Sequence, residues 1–351
     1  MQDFNAVLKM AASEGASDIH LSIGCPVSLR VDGRLKKSDE IIFGPEDMEG
    51  LLALFLTGEM ALKLKERGEL TVVYPVEGLG NFRISIYKKN GTLASAIRIF
   101  PEKAPLLYDL RAPESVKELL KEPSGLIIVG GRAGSGRSTT VAAMLNEINS
   151  TLERHVVGIE ENIEFSFKND RSVIDLRRLA EDTPSYREGI RAAIREDADI
   201  IMISELEDKE TAEEAILAAE SGNLVISSMR IPDSISAIKR ILDFFEAGRQ
   251  GNIKERLSGS LCGILCQSLV PLTEGGRAAA FEFLLLNQAV KNLLKEGRFG
   301  QITAIMQADH RLGMTTMDDS LFELYTAKRI TAETAMFFSR DRDYLEQRIH
   351  V

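Results

Sequence analysis

The stretch that decides the fold is residues 125–148, GLIIVGGRAGSGRSTTVAAMLNEI, where an apolar run, a glycine-rich loop and a helical pattern follow one another without a gap. Residues 126–129 are β-forming and uncharged, as in a strand buried on both faces of a parallel sheet. Residues 131–138, GRAGSGRS, match the phosphate-loop pattern G-x-x-x-x-G-K-[ST] except that Arg137 replaces the lysine. The stretch therefore predicts a strand, a phosphate-binding loop and a helix.

The residue types of this loop suit a nucleotide phosphate. Small residues let backbone N–H groups point inward, the helix presents its positive N-terminus, and the Ser138 hydroxyl can ligate phosphate-bound Mg²⁺. Arginine spreads its charge over a longer, planar group than lysine, so Arg137 is not a conservative replacement. The alternative is a glycine-rich turn that binds no ligand. The residues expected to bind ATP are Ala133, Gly134, Ser135, Gly136, Arg137, Ser138 and Thr139.

The composition is that of a globular protein with room for two domains. Of 351 residues, 44% are hydrophobic and 27% are charged. The net charge of -10 argues against a nucleic-acid partner gripped through its phosphates. No segment resembles a signal peptide, and no apolar run approaches the roughly 20 residues that span a bilayer. We therefore expect a cytoplasmic protein without membrane insertion.

The cysteines and histidines do not suggest a disulfide framework or a metal cluster. No C-x-x-C pair occurs, and the histidines are scattered along the sequence. The residues concerned are Cys25, Cys262 and Cys266, and His20, His155, His310 and His350.

The first hundred residues have the pattern of an α+β domain. The predicted elements are a helix over 1–15, a strand over 17–22, a hairpin over 26–35, a helix over 46–66, a second hairpin over 69–89 and a strand over 93–100. Pro101 and Pro105 resist both helix and central strand, so residues 101–106 are predicted to be a linker. The predicted domains are therefore 1–100 and 107–351.

The second domain alternates helices with short apolar strands. Strand patterns occur in VVGI, SVIDL, DIIMIS and NLVISSM, and helical lengths separate most of them, which indicates βαβ units and a mostly parallel sheet. From residue 234 onward the pattern is almost wholly helical, apart from a strand predicted over 278–286. The fold class is α/β, with a smaller α+β domain at the N-terminus.

Two carboxylates follow predicted strands in the second domain. Glu160 ends HVVGI and Glu205 follows IIMIS, so both are expected at the edge of the sheet that faces the phosphate loop. One could orient an attacking water and the other could hold Mg²⁺. The alternative for each is a solvated carboxylate in a loop.

Two arginines, Arg83 and Arg98, lie within predicted strands of the first domain, in NFRISIY and SAIRIF. Each could simply sit on the solvent face of its strand. The alternative is an arginine finger that contacts phosphate, which can accelerate phosphoryl transfer by on the order of 10³-fold or more.

Several segments in one order resemble the secretion and type IV pilus motor ATPases, and among them the PilT-like retraction ATPases. They are ASDIHL, RVDGRL, GRAGSGRST, IEENIEF, IRAAIREDADIIMISE, ETAEEAILAAESGNLV, GRAAAFEFLL and LGMTTMDDSL. The resemblance implies a hexameric ring of chains, each with a PAS-like N-terminal domain and a RecA-like ATPase domain. It also implies that Glu160 activates water, that Glu205 is the Walker B acid near Mg²⁺, and that Arg83 and Arg98 approach the phosphates.

The absence of paired C-x-x-C motifs favours the retraction branch over the zinc-bearing assembly ATPases. The branch's Ala-Ile-Arg-Asn-Leu motif stands here in altered form, as AVKNL at 289–293.

The sequence departs from the family pattern mainly in residues expected to do chemistry. Besides Arg137, the segment that would read G-T-L-H-T is SSMRI at 227–231, so Arg230 replaces a histidine. A second family histidine is replaced by Asn223, the Gly-Glu of Walker B is Ser204-Glu205, and Glu-Asp-Pro becomes EEN at 160–162. Losing one preorganised phosphate contact costs roughly 10²- to 10³-fold in rate. Turnover is therefore expected to suffer more than the fold.

Three functions remain open at this stage. The first is a nucleotide-binding accessory component of the pilus retraction machinery with weak or absent hydrolysis. The second is a fully active motor in which Arg137 serves as the lysine and Arg230 as the sensor, and the third is a ring component that binds no nucleotide. The expected partners are further copies of the chain or an intact paralogous motor, and an inner-membrane platform protein through which the chain would attach peripherally.

Overall fold

The computed structural model describes residues 4–100 and 103–349, without the side chains of residues 39 and 40. The start of the predicted N-terminal helix, Pro101 and Glu102 of the predicted linker, and His350 lie outside the described residues. The chain forms two compact units. One contains the chain up to Ala104 together with Asn162–Ser166, and the other contains Pro105–Glu161 and the chain from Phe167 onward.

The first unit combines three helices with strands that pair antiparallel throughout. In chain order its elements are α1 Phe4–Ser13, β1 Asp18–Ser22, β2 Pro26–Val31, β3 Arg34–Ile42, α2 Pro45–Ala53, α3 Gly58–Arg67, β4 Glu69–Val76, β5 Gly80–Lys89 and β6 Thr92–Phe100. Within the described residues these strands form one sheet in the order β3-β2-β1-β6-β5-β4. The alternation of buried residues along β1 and β5 places Ile19, Phe82 and Ile84 in the core, where α1 buries Phe4 and Leu8.

The helix predicted over 46–66 is divided in two. Residues 54–57 separate α2 from α3, and the Thr57 hydroxyl accepts a hydrogen bond from the Met60 N–H at 3.4 Å. Thr57 has an extended backbone, which is not compatible with a continuous helix, and its hydroxyl caps a first-turn N–H of the helix that follows. The prediction of one continuous helix was wrong for this reason.

The second unit is built on a mostly parallel sheet with helices on both faces. Its elements are α4 Leu107–Leu110, α5 Ser115–Leu119, β7 Gly125–Gly131, α6 Arg137–Thr151, β8 His155–Glu160, β9 Val173–Arg178, α7 Tyr186–Arg195, β10 Ile200–Ile203, α8 Lys209–Glu220, β11 Leu224–Met229, α9 Ser234–Asp243, α10 Ala247–Ser260, β12 Leu261–Pro271, β13 Arg277–Leu285, α11 Gln288–Glu296, α12 Ile302–Ala308, α13 Met317–Thr326, α14 Ala332–Phe338 and α15 Arg342–Ile349. The altered AVKNL segment lies in α11.

The strand β7 lies inside this sheet, as its uncharged sequence predicted. The strand order is β13-β12-β7-β11-β10-β8-β9 in the part of the chain that the structure describes. Leu126 and Ile128 belong to the core on one face of the sheet, and Ile127 and Val129 to the core on the other. All four side chains are at most 1% exposed, so neither face of β7 meets solvent.

The strand β12 was missed by the sequence patterns, which predicted helix there. It follows α10 without a connecting loop, and its residues pair parallel with β7 and antiparallel with β13. Its apolar sequence, LCGILCQSLVP, carries no turn signal at its start, and a short apolar run does not distinguish a buried strand from a buried helix. The position between two neighbouring strands decides the conformation.

Candidate nucleotide site

The carboxyl ends of four parallel strands meet at one edge of the second unit's sheet. Ile159 of β8 pairs with Ile203 of β10, which pairs with Ser227 of β11. At the end of β11, Met229 pairs with Gly130 of β7. Glu160, Glu205, Arg230 and the glycine-rich loop follow these pairs directly. In open α/β sheets this edge is where ligands bind.

The loop after β7 has the conformation that a phosphate cradle requires. Gly134 (φ +76°) and Gly136 (φ +89°) occupy the left-handed region, which disfavours other residues. A Cβ on Gly131 would lie 2.1 Å from Ser135 Oγ and 2.9 Å from the Gln267 carbonyl oxygen. Gly136 caps helix α6 without a side chain, so the first-turn N–H groups have no side-chain cap. This donor set fits a nucleotide phosphate, because N–H groups at a helix N-terminus attract anions.

The predicted binding residues lie together in this loop and the first turn of α6. Ala133, Gly134 and Ser138 are exposed, Gly136 and Thr139 are half-buried, and Ser135 is buried. The Ser135 hydroxyl has no hydrogen-bond partner among the described residues.

The two arginines that depart from the family pattern both contact Glu205. Arg137 Nη1 donates to Glu205 Oε1 at 3.4 Å, and Arg230 Nε lies 2.8 Å from the same oxygen and 3.1 Å from Oε2. The side chains of Arg137 and Glu205 are 13% and 16% exposed, whereas that of Arg230 is 64% exposed. The expected Walker A cation and Walker B acid are therefore already paired with each other, and a second cation is paired with the same acid.

The environment acts differently on the two guanidinium groups. Burial lowers the pKa of Arg137, although the Glu205 carboxylate opposes this shift. The hydrogen bond to Glu205 raises the pKa of Arg230. Both groups stay charged at neutral pH, because arginine does not lose its proton in proteins. Two positive charges thus stand against one carboxylate.

Ser204, which replaces the glycine of Walker B, is fixed by two hydroxyl groups. The Tyr186 hydroxyl lies 2.6 Å from Ser204 Oγ, and Ser228 Oγ donates to the Ser204 carbonyl at 2.6 Å. Burial raises the pKa of Tyr186. These contacts hold the backbone immediately before Glu205.

Glu160 is the last residue of β8 and is half-buried. Its carbonyl accepts a hydrogen bond from the Leu179 N–H at 2.7 Å. It lies at the same edge of the sheet as Glu205.

Asn223 does not belong to this group of residues, although it is one of the departures expected mainly in residues that do chemistry. It precedes β11, and its carbonyl accepts from the N–H of Gly125, the first residue of β7. Its side-chain amide is buried and donates to the Ala198 carbonyl at 2.5 Å. One strand length, about 20 Å at ~3.3 Å per residue, separates it from the loop. The asparagine is a structural contact at the opposite edge of the sheet.

Arg83 and Arg98 have partners within the first unit. Arg83 Nη1 donates to Glu164 Oε1 at 2.7 Å, and its guanidinium carbon lies 5.6 Å from the Phe100 ring centre. Arg98 Nε donates to Asp18 Oδ1 at 2.8 Å. Burial opposes the shift, but hydrogen bonds from Ser17 and Arg98 together lower the pKa of Asp18. Each of the two guanidinium groups therefore has a carboxylate partner in the first unit.

The loop that carries Arg230 is anchored from two sides. Arg340 Nη2 donates to the Pro232 carbonyl at 2.7 Å. The N–H and the hydroxyl of Ser234 donate to Glu282 Oε1 at 2.7 and 2.6 Å. These contacts fix the loop at its C-terminal end, so the direction from which Arg230 reaches Glu205 is determined by the surrounding structure.

The Glu282 carboxylate predicts a pH-dependent stability. Burial raises its pKa, and the Ser234 donors only partly oppose the shift. The native state therefore binds this proton at a pH where the unfolded state has released it, so stability falls as pH rises from the ordinary glutamate value through the raised value. Thermal unfolding should show the melting temperature of Glu282→Gln rising relative to wild type by a few degrees between pH 5 and pH 8. A difference that does not change with pH would contradict this expectation.

Some residues of the site could not be found from the sequence patterns. Gln267 contacts the loop from β12, a strand that was not predicted. Tyr186 is the first residue of α7 and Arg340 lies between α14 and α15, and neither stands in a recognisable motif. The convergence of Arg137 and Arg230 on one carboxylate also required the sheet order. The sequence showed an arginine in place of the expected lysine and of the expected histidine. It did not show that both arginines contact the same carboxylate.

Comparison with known proteins agrees with this fold. The family model described as Type II/IV secretion system protein matches residues 1–339. The chain is 33% identical over 333 residues to the type IV pilus retraction ATPase PilT of Pseudomonas aeruginosa, which covers 95% of this chain and 97% of that protein. It is 30% identical over 335 residues to the type IV pilus ATPase PilU of the same organism, covering 95% and 88%.

A crystal structure of the pilus retraction motor PilT with bound ADP matches with a TM-score of 0.89 and 38% identity, and the match covers 99% of this chain and 100% of that one. The chain therefore belongs to the Type II/IV secretion system protein family, among its PilT-like pilus retraction ATPases. The predicted fold class, a RecA-like P-loop domain with a smaller N-terminal α+β domain, is confirmed by this match.

None of the helices in the described ranges has the length and apolar character needed to cross a bilayer. Within the same ranges no three His, Cys, Asp or Glu side chains are grouped so as to hold a metal ion on their own.

Proposed function

We propose that this protein is a nucleotide-binding component of a type IV pilus retraction machine in which ATP hydrolysis is weak or absent. The observation that carries the proposal is the contact of both Arg137 and Arg230 with Glu205. The chain would act as an accessory to an intact motor, as part of a mixed ring or as a companion ring.

Nucleotide binding rests on the loop and the helix that follows it. Residues 133–139 would hold the phosphates through backbone N–H groups, the Arg137 N–H donors other than the one on Glu205, and the hydroxyls of Ser138 and Thr139. Ser138 would contact Mg²⁺, Glu205 would do so only when its ion pairs with the two arginines break, and Glu160 would orient the attacking water. Mg²⁺ supplies charge neutralisation on the phosphates when it is bound.

Weak turnover follows from the charges around Glu205. A carboxylate that accepts hydrogen bonds from two guanidinium groups is a poorer partner for a hydrated cation than a free carboxylate. Arg137 is the more important of the two, because its pair with Glu205 is largely buried and screened less by solvent. The exposed Arg230 contact contributes less energy, as exposed ion pairs usually do. Breaking the buried Arg137–Glu205 pair costs free energy in the step in which Glu205 is required to bind Mg²⁺.

The alternative is a fully active motor, and one observation favours it. The Arg230 side chain is 64% exposed, so it can leave Glu205 and turn to a phosphate without unpacking anything. Arg137 could likewise exchange Glu205 for phosphate, since arginine binds both groups well. In this case the contacts with Glu205 would exist only without nucleotide.

Arg83 and Arg98 remain candidates for contacting phosphate. Each would have to exchange a carboxylate partner, Glu164 or Asp18, for the phosphate oxygens. A homo-hexamer or a mixed hexamer would be the functional assembly, cytoplasmic and attached to the inner membrane through a platform protein.

The binding part of the proposal is tested by equilibrium titration with a fluorescent ADP analogue. Wild type is expected to bind it, and Arg137→Ala should weaken binding by about tenfold, because the lost contact is a charge-assisted hydrogen bond. Arg249→Ala is the matched control, since the Arg249 ion pair with Glu213 lies on exposed side chains of α10 and α8. Wild type that binds no nucleotide would favour the structural ring component.

A further inference from the structure

A glutamine from β12 holds the phosphate loop by its backbone. Gln267 pairs with Gly131 across the sheet, at the point where β7 ends and the loop begins. Its side chain is 2% exposed, and its Nε2 donates to the Ser135 carbonyl at 2.7 Å. A buried donor from a neighbouring strand thus contacts the middle of the loop.

The contact fixes the orientation of one peptide group. Because a trans peptide is planar, its C=O and N–H point in opposite directions. When the Ser135 carbonyl points at Gln267, the Gly136 N–H points away from Gln267. That N–H is one of the groups that a phosphate cradle needs.

The packing around the glutamine leaves little room for another arrangement. A Cβ on Gly136 would lie 3.1 Å from Gln267 Nε2, and a Cβ on Gly131 would lie 2.9 Å from the Gln267 carbonyl oxygen. Two glycines of the loop therefore pack directly against this one residue. The glycine pattern and the glutamine fit each other.

A purely structural role would be filled better by an apolar side chain. Gln267 Oε1 is buried and has no hydrogen-bond partner among the described residues. Burying such a group lowers stability relative to a well-packed apolar residue. The buried amide therefore lowers the stability of the fold, and its hydrogen bond goes to the phosphate loop.

We propose that Gln267 is a positioning residue of the nucleotide site, which holds the Ser135–Gly136 peptide in the orientation that binds phosphate. The inference rests on the proposed nucleotide binding, but its first test does not. Gln267 acts through the backbone of the loop and itself touches no nucleotide atom in this proposal.

The first test measures hydrogen exchange of the loop peptide in nucleotide-free protein. Gln267→Met keeps the size of the side chain and removes the donor, so exchange in residues 132–138 should become about five- to tenfold faster, as for the loss of one neutral hydrogen bond. Gln250→Met is the matched control, because the Gln250 amide also donates to backbone carbonyls, those of Leu242 and Phe245 at 3.2 Å, but elsewhere in the second unit.

The second test measures affinity for ADP as a function of pH. Gln267→Met should bind ADP about five- to tenfold more weakly than wild type at every pH. In Gln267→Glu a protonated carboxyl can still donate to the Ser135 carbonyl, whereas the ionised form repels it. ADP affinity of this variant should therefore approach that of wild type at low pH and fall as pH rises.

The outcomes separate this inference from the proposed function. The role of Gln267 would be overturned if hydrogen exchange in residues 132–138 were unchanged in Gln267→Met. It would also be overturned if Gln250→Met changed that exchange by the same amount. If wild type binds no ADP, the proposed function fails, and the exchange experiment still decides whether Gln267 holds the loop. If Gln267→Met does not fold, the pH dependence of Gln267→Glu against wild type decides in its place.

Discussion

Arg137→Lys combined with Arg230→His should raise the rate of ATP hydrolysis by roughly 10²-fold or more over wild type. Both substitutions restore the residue types of the family pattern. Lysine replaces the planar group that reaches Glu205 by a compact ammonium, and a neutral histidine removes the second positive charge. Glu205 then becomes available to Mg²⁺. Steady-state phosphate release at saturating MgATP measures the effect.

The control makes the same two substitutions at arginines whose ion pairs lie elsewhere in the second unit. Arg154 contacts Asp199 at 3.2 Å, and Arg249 contacts Glu213 at 2.7 Å. Arg154→Lys combined with Arg249→His should leave hydrolysis at the wild-type level. If wild type already hydrolyses ATP as fast as the restored double variant, the active-motor alternative is correct.

Gly131→Ala should weaken nucleotide binding by roughly 10- to 100-fold, the range expected from forcing a methyl group into a packed site. The new Cβ would lie 2.1 Å from Ser135 Oγ and 2.9 Å from a backbone oxygen of β12. A serine hydroxyl can turn aside, but the strand cannot move without disturbing its pairing with β7. The loop must shift instead, and its N–H groups then lose their common direction. Titration with an ADP analogue measures the loss.

Gly251→Ala is the matched control, because a Cβ there meets nothing within 4 Å and alanine suits the interior of helix α10. It should bind nucleotide as wild type does. Adding Ser135→Ala to Gly131→Ala removes the contact with Oγ and should recover part of the affinity. Binding that is unaffected by Gly131→Ala would mean that the loop is not the phosphate site.

The sequence predicted the parts of the fold that depend on local patterns. The strand, loop and helix over residues 125–148 were predicted because an uncharged β-forming run, small residues and a helix start are all local signals. β12 was missed because LCGILCQSLVP is a strand only by virtue of its neighbours β7 and β13. The break before Gly58 was missed because the Thr57 cap is a weaker signal than the surrounding helical pattern.

The site was predictable as a set of residues but not as a set of contacts. Glu205 and Arg137 were found because each occupies a motif position. The contact of Arg230 with Glu205 depends on β11 lying between β7 and β10, and that order cannot be obtained from strand patterns alone. Asn223 shows the opposite error. Its place in the family pattern suggested a site residue, but it precedes β11 and therefore lies at the edge of the sheet opposite the phosphate loop.

We claim that Arg137 and Arg230 already occupy Glu205. The fall in ATP turnover caused by Glu205→Gln, measured in two backgrounds, tests this. In wild type the fall should be less than about threefold, because the carboxylate is not available to Mg²⁺. In the Arg137→Lys, Arg230→His background it should be on the order of 10²-fold or more. A loss of turnover in the wild-type background as large as in the restored one would contradict the claim.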